Sequence, residues 1–309
     1  MKHAGERRAL VVINPVAGPR RTRTIGACVD LAKSVLTAHN YEADVRITTG
    51  PDDASTFARE GITSGVDVVI AWGGDGTVNG AATAVAGTGI PLAIIPGGSG
   101  NGLARDLAIP TKPVEALEIA AGGATRQIDA GDLHGSLFFN VAGIGFDARI
   151  AARLAMPGAR RGLLGYIIAT IGELRVYEPG SYSIHNAFDV EGKSHMADII
   201  DHPALFIALA NSRQYGNGAQ IAPAALLDDG MMEIVVVEPQ SSFSILRQMP
   251  AFFNGTLREG PGLLMRSAAS MNISSSHPIK FHVDGEPRTG PNSIALLTRR
   301  DILRVRVMQ

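Results

Sequence analysis

The sequence predicts an α/β protein in two parts. A Rossmann-like parallel α/β domain spans residues 1–125, and an antiparallel β-sandwich-type domain with a helical insertion spans 126–309. Three observations predict this. Up to Gly122-Gly123, β-branched runs alternate with helical patterns, and such βαβα order makes a parallel sheet covered on both faces. Beyond those glycines, short strand patterns separated by turn residues take over. Finally, three glycine-bearing segments each leave a strand at its carboxyl end, the edge where open α/β sheets hold ligands.

The elements follow in order. Arg8–Ile13 reads as a buried strand ending in Asn14-Pro15-Val16-Ala17-Gly18, then Pro19-Arg20-Arg21. Ile25, Cys28, Val29, Ala32, Val35 and Leu36 recur at helical spacing. Asp44–Thr48 is a second strand, and Pro51-Asp52-Asp53 opens a second helix that ends near Gly61–Gly65. Val66–Trp72 is the third strand, followed by Gly73-Gly74-Asp75-Gly76-Thr77-Val78-Asn79-Gly80 and an Ala-rich helix. Pro91–Ile95 leads into Pro96-Gly97-Gly98-Ser99-Gly100-Asn101, with helices over Leu103–Leu107 and Val114–Ala121. In the second part, Arg126–Leu133 and Leu137–Val141 form a hairpin around His134-Gly135. The insertion lies between Asp147 and Glu178 and is broken at Met156-Pro157-Gly158. Strands are expected at Tyr182–Val190, Ser194–Ile200, Leu205–Ala210, Met232–Val237, Leu264–Ser274, Ile279–Val283, Ser293–Leu297 and Ile302–Val307, with one helix over Phe243–Thr256. The domains are expected to meet near residue 125 with the active site in a cleft, and the last strand is free to return to the first domain.

Composition narrows the function. A net charge of −1 supplies no basic field for nucleic acid. The single Cys28 excludes an intramolecular disulfide and fits a reducing, cytoplasmic setting. Its surroundings carry no Cys or His at metal spacing, and the histidines, His185, His195 and His202 among them, show none either. No run approaches the ~18 apolar residues that span a bilayer, and the charged start before Arg8–Ile13 leads into a strand and not a signal peptide. Membrane contact is therefore expected to be peripheral.

Glycines at a strand-to-helix turn admit positive φ and leave helix N–H groups pointing outward, which suits phosphate. An unpaired Asp among them repels phosphate, so Asp75 makes sense if it handles a metal or a proton. The loops match neither a P-loop, since no Gly-Lys-Ser/Thr follows, nor a dinucleotide fingerprint, since the first strand ends in Asn14-Pro15. Arg20 and Arg21 are either phosphate ligands or a solvated helix start. Asp284-Gly285-Glu286 is either a hairpin turn with two hydrated acids or a catalytic pair. Asp228-Asp229-Gly230 reads as a turn before a strand.

These segments resemble the diacylglycerol-kinase-type catalytic family, which includes sphingosine kinases and bacterial lipid kinases and is distantly related to NAD kinases and phosphofructokinases. The resemblance rests on Asn14–Gly18, Gly73–Asn79, Pro96–Arg105, Phe139–Asp147, Ala222–Gly230 and Asp284–Glu286, in family order and spanning almost the whole chain. Ser99-Gly100-Asn101-Gly102-Leu103-Ala104 looks more like the sphingosine-kinase version. The resemblance implies an ATP- and Mg²⁺-dependent lipid kinase acting at a membrane surface, with the last step transfer of a phosphoryl group to an alcohol. Nucleotide contacts would come from Asn14, Gly18, Arg20, Gly73, Gly74, Gly76, Thr77, Asn79, Gly98, Ser99, Gly100 and Asn101. Asp75, Asp284 and Glu286 are the candidate catalytic carboxylates, with Asp75 placed first. Asp147 would meet the acceptor's polar head, and Asp228 with Asp229 would hold a structural Mg²⁺ or be a hydrated turn. In the insertion, Arg160-Arg161 precede Leu163, Leu164, Tyr166, Ile167, Ile168, Ile171, Leu174 and Val176, a stripe that either receives acyl chains or packs on the β domain. The expected partners are a lipid alcohol and the membrane surface, with a homodimer also compatible. A kinase of a soluble alcohol and a non-catalytic nucleotide-binding module are the alternatives.

Overall fold

Strand β3 (Val68–Gly73) is buried at every residue, the pattern of a strand covered on both faces rather than one. It belongs to the first of two compact units, Met1–Ile128 with Asp301–Gln309 and Asp129–Arg300. The structure is a computed structural model that describes residues 7–17, 24–156, 169–170, 172–173, 176–216 and 218–309.

In the first unit β3 pairs in parallel with β1 (Arg7–Ile13) and β4 (Leu92–Pro96). β1 also pairs in parallel with β2 (Tyr41–Ile47). The end of β18 (Ser293–Val307) returns to pair in parallel with β4, Val305 opposite Leu92. Helices α1 (Ile25–Ala38), α2 (Asp53–Ser64) and α3 (Asp75–Val85) supply the crossovers. Thr24 caps α1 by accepting the Ala27 N–H, and Gly65 ends α2 in the left-handed region. Gly61 brings α2 close to the sheet: a Cβ there would stand 2.7 Å from Leu10 Cδ2. The order β2-β1-β3-β4 reverses direction between β1 and β3, so the carboxyl ends of those two strands flank a switch point where ligands bind. Helices α4 (Gly102–Asp106) and α5 (Pro113–Gly122) follow β4.

The second unit is a sandwich. One antiparallel sheet has the order β14 (Leu263–Ala268), β13 (Met232–Val237), β10 (Phe206–Ala210), β7 (Val141–Gly145), β16 (Lys280–Val283), β17 (Glu286–Thr289). Against it stand β8 (Gly180–Phe188), β9 (Ile199–Ala204), β15 (Ser270–Ser274) and the first part of β18, with β5 (Ala124–Leu133) and β6 (Ser136–Phe138). Period-two geometry divides each strand between faces. Ile234 and Val236 enter the inter-sheet core with Ile144, Ile184, Ile273, Phe281 and Leu296. Val235 and Val237 enter a second core on the opposite face, with Phe146 and Ile150 of α6 (Phe146–Ala155). The small strands β11 (Gln214–Gly216) and β12 (Ala219–Gln220) and helix α7 (Ser242–Asn254) complete the unit.

Several boundaries differ from the expected ones. The run expected as one strand over Leu264–Ser274 is two, β14 and β15, in different sheets, divided at Ala269, whose N–H donates to Phe188 O. Conversely, the strands expected at Ser293–Leu297 and Ile302–Val307 are one, β18, despite the positive φ of 52° at Asp301. Ser194–Ile200 is not a strand; it holds a bridge at Ser194, and β9 begins at Ile199. Hydrophobic pattern cannot locate such breaks, because sheet-switching is decided by which neighbour supplies the hydrogen bonds. Of the insertion, α6 is present as expected. Arg160, Arg161, Leu163, Leu164, Tyr166, Ile167, Ile168, Ile171 and Leu174 lie outside the described residues, whereas Val176 is described and exposed. Among the described residues no helix is long and apolar enough to cross a membrane.

Leu10 is fully buried under α2. Leu10→Ala should therefore cost about 2–5 kcal/mol, read as a lowered denaturant midpoint with an unchanged m-value.

Candidate active site

Two glycine loops of the first unit are pressed together at the ends of β3 and β4. The Gly97 N–H donates to Gly73 O at 2.8 Å. A Cβ on Gly98 would lie 2.6 Å from Gly74 Cα, so the close approach requires glycine there. The loops are tied by one side chain. Asp75 Oδ2 accepts the Asn101 N–H at 3.0 Å, and Oδ1 accepts the Gly102 N–H at 2.8 Å. A Cβ on Gly100 would stand 2.6 Å from that Oδ2. Asn101 has φ of 51° and closes its own loop, accepting the Gly98 N–H at Oδ1 and donating Nδ2–H to Gly98 O, both at 2.9 Å. Arg105 Nε donates to Gly100 O.

The N-terminus of α3 opens into this arrangement. Its N-cap is Gly74, with no capping side chain, and Asp75 stands in the first turn, so the leading N–H groups are not consumed by a side-chain cap. Thr77 is buried, and its Oγ1 accepts Nδ2–H of Asn14 at 3.0 Å. Asn14 Oδ1 accepts the Val16 N–H. The end of β1 and the α3 helix are thereby held in one frame. Gly76 is exposed, and Ser99 and Asn79 are partly exposed. Gly18 and Arg20 lie outside the described residues.

Asp75 thus differs from the expectation of a carboxylate left free by an exposed loop. Both of its oxygens accept backbone N–H groups of the neighbouring loop. The glycine requirement also has another physical basis than the space a nucleotide needs: loop-to-loop contact alone excludes Cβ atoms at Gly98 and Gly100.

In the second unit the Asp284-Gly285 turn joins β16 to β17, with φ of 48° and 89°. Positive φ at both central residues is what a two-residue hairpin loop matching strand twist requires. Asp284 is not a hydrated turn acid. Its Oδ2 accepts the Phe139 N–H at 2.9 Å, and its Oδ1 accepts those of Asn140 and Val141 at 3.0 Å. Glu286, two residues on, is exposed, and its side chain makes no hydrogen bond or ion pair among the described residues.

Asp147 was expected at an acceptor head group. It is buried at the start of α6 and bonded through Oδ2 to His282 Nε2 at 2.6 Å. His282 lies on the α6 face of β16, since its neighbours Phe281 and Val283 enter the sandwich core. Its other nitrogen, Nδ1, accepts the Gly285 N–H at 3.2 Å. Burial disfavours the imidazolium, but the Asp147 carboxylate, its hydrogen bond and the charge of Asp284 outweigh that and raise the His282 pKa above its ordinary 6.5. Sequence reasoning passed over His282; the available signal was a polar residue amid apolar ones in Phe281-His282-Val283, two before Asp284.

A second buried polar group was also missed. Asn211 Nδ2 donates to Asp129 O and Phe139 O, Ser212 Oγ bonds Asn140 Oδ1, and Asp129 Oδ2 accepts the Gly230 N–H at 2.7 Å. Asp228 and Asp229 are exposed, and Asp229 Oδ1 accepts the Met231 N–H. Among the described residues no group of three or more His, Cys, Asp or Glu assembles into a metal cage.

Amide-lined glycine loops at a switch point form an arrangement suited to phosphate. Residues 8–133 match the family described as "Diacylglycerol kinase catalytic domain", and residues 140–305 match the "YegS C-terminal NAD kinase beta sandwich-like domain". The chain belongs to this diacylglycerol kinase catalytic-domain family and is a kinase. It is 32% identical over 247 residues to a protein named "Probable lipid kinase YegS-like" from Chromohalobacter salexigens, covering 79% of this chain and 77% of that one. It is 31% identical over 284 residues to a protein named "Diacylglycerol kinase" from Mycobacterium tuberculosis, covering 88% and 86%. A solved structure described as "Crystal structure of a putative diacylglycerol kinase from Bacillus anthracis str. Sterne" superposes with a TM-score of 0.76 at 25% identity, over 99% of this chain and 98% of that chain.

Two outcomes follow from the geometry. Gly98→Ala forces a methyl against Gly74 backbone; overpacking of this kind costs about 1–3 kcal/mol, read as a lowered denaturant midpoint. His282 binds its proton more tightly folded than unfolded. Its contribution to stability is therefore full below about pH 6.5 and is lost as pH rises through the raised folded value. Urea titrations across that window should show this decline in the native protein and a flatter profile in His282→Asn.

Proposed function

We propose that the protein is an ATP-dependent lipid kinase that transfers the γ-phosphoryl group to the hydroxyl of a lipid alcohol of the diacylglycerol or sphingoid-base type. The observation that carries this reading is the pair of glycine loops tied by Asp75 in a chain of this family. The α3 N-terminus from Gly73 and Gly74 through Gly76 and Thr77 cradles phosphate with backbone N–H groups. Asn14, fixed by Thr77, and the Gly98–Asn101 loop line the nucleoside side, with Asn79, Gly18 and Arg20 as further contacts. The family names of the relatives support a lipid acceptor, and a lipid whose chains stay in a bilayer calls for peripheral contact with the membrane surface.

The base is Glu286. Asp284 cannot easily serve, because its oxygens hold three backbone N–H groups. Asp75 is likewise committed to Asn101 and Gly102. Glu286 is the carboxylate of the three without a partner. It receives the acceptor's hydroxyl proton as that oxygen attacks the γ-phosphorus and ADP departs. Asp284 acts by fixing the turn that carries Glu286, and Asp147 by holding His282.

A Mg²⁺ carried on nucleotide phosphates would draw its ligands mainly from phosphate oxygens and water, and among the described residues no group of three or more His, Cys, Asp or Glu forms an all-protein cage. Such an ion would supply positive charge to offset the charge developing on the phosphoryl oxygens. A structural Mg²⁺ at Asp228 and Asp229 would be held by these two exposed acids together with water, Asp229 Oδ1 also accepting the Met231 N–H, and no step passes through it.

The test is labelled ATP with a panel of lipid alcohols in mixed micelles. Glu286→Gln should lower kcat by about 10²–10⁴-fold while ATP binding persists. Near-normal turnover removes the base assignment. Equal phosphorylation of short-chain, water-soluble alcohols replaces the lipid reading with a soluble-alcohol kinase.

A further inference from the structure

His282 lies between two groups that the proposed reaction depends on, yet the carboxylate chemistry does not use it. It is 6% exposed, in register with Gly143 of β7 on one side and Pro287 of β17 on the other. Gly143 has no room for a side chain, because a Cβ there would overlap both Asp147 Oδ2 and His282 Nε2. The imidazole is therefore clamped over the bare backbone of β7.

Its two nitrogens have different partners. The Gly285 N–H can be accepted only by an unprotonated Nδ1, which leaves the ring proton on Nε2, donated to Asp147. The ring thus joins the first turn of α6 to the turn that carries Glu286. We propose that His282 is a positioning residue for the phosphoryl-transfer step: its Nδ1 holds the Gly285 amide and so sets where Glu286 stands, while Asp147 fixes the tautomer that makes this possible. This inference rests on the assignment of Glu286 as base.

A chemical consequence distinguishes this role from packing. When the imidazole gains a second proton at Nδ1, the Gly285 N–H faces an N–H and loses its acceptor. The imidazolium stays bonded to Asp147, and the turn is released. The charged groups facing the ring are Asp147 from α6 and Asp284 from the turn. The neighbouring strands present Gly143 and Pro287 at its register, and Arg149 and Arg153 of α6 are drawn away to Glu173. Both facing charges favour protonation, so release falls at a higher pH than the protonation of a free imidazole.

Two substitutions separate the two nitrogens. His282→Asn offers an amide oxygen near the Nδ1 position and keeps an acceptor for Gly285. His282→Gln reaches the Nε2 position, keeps a donor for Asp147 and loses that acceptor. In the full-length protein, kcat with a lipid alcohol should fall about tenfold in His282→Gln, the size of one lost hydrogen bond, with KM for ATP unchanged. His282→Asn should retain most of kcat and lack the acid-side fall in rate expected of wild type. Hydrogen exchange at the Gly285 amide supplies a readout apart from activity: protection should be lost in wild type on acidification and in His282→Gln at every pH, and kept in His282→Asn. Equal kcat in wild type and His282→Gln, or Gly285 protection indifferent to both pH and the Gln substitution, overturns the proposal. Loss of the Glu286→Gln effect with Gly285 protection behaving as described would instead discard the base assignment and leave the hydrogen-bond relay standing.

Discussion

Asp284 accepts backbone N–H groups from Phe139, Asn140 and Val141, and much of the second unit's polar architecture hangs on that contact. Hydrogen bonds to an ionised acceptor contribute about 1.5–3 kcal/mol each, more than a hydrated turn acid could. The cluster pins a two-residue hairpin turn to the start of β7. From that anchor Glu286 projects into solvent, and Gly285 is placed to meet His282. The segment Phe139–Val141 is in turn tied through Asn140 and Phe139 to Asn211 and Ser212. A carboxylate in a turn, where hydration is the ordinary fate, is here a fastener.

The first unit repeats the device. Asp75 binds the amides of Asn101 and Gly102, and the two glycine loops touch so closely that methyl groups are excluded. Carboxylates that gather amides from a second segment hold loops rigid without side-chain bulk, leaving neighbouring N–H groups for an anion. Preorganisation of this kind suits phosphoryl transfer, where positioning and charge neutralisation supply most of the rate. Both carboxylates trade nucleophilic or basic availability for geometric definition.

Much of the fold was legible because periodicity reports burial directly. The wholly apolar Val68–Trp72 run reads as a strand covered on two faces, and β3 is buried throughout. Asp-Gly with an apolar strand on its N-terminal side announces a hairpin, and both residues adopt positive φ. Boundaries were less legible where strands change sheets. The chain from Leu263 to Ser274 carries one uninterrupted pattern, but its halves pair with β13 and with β8 and β18. The sequence around Asp301 invites a break, yet β18 runs through it, because its two parts find partners in β15 and in β4.

The sequence by itself determined the alternation of elements, the glycine loops at strand ends and the family those motifs resemble, since each is local in the chain. Only the tertiary structure decided which acids are occupied. Asp75 meets residues 26 and 27 positions away, Asp284 meets residues 143 to 145 positions away, and His282 meets Asp147 across 135 positions. A carboxylate's chemistry depends on how many donors surround it, and those donors arrive from distant segments whose approach no local pattern encodes.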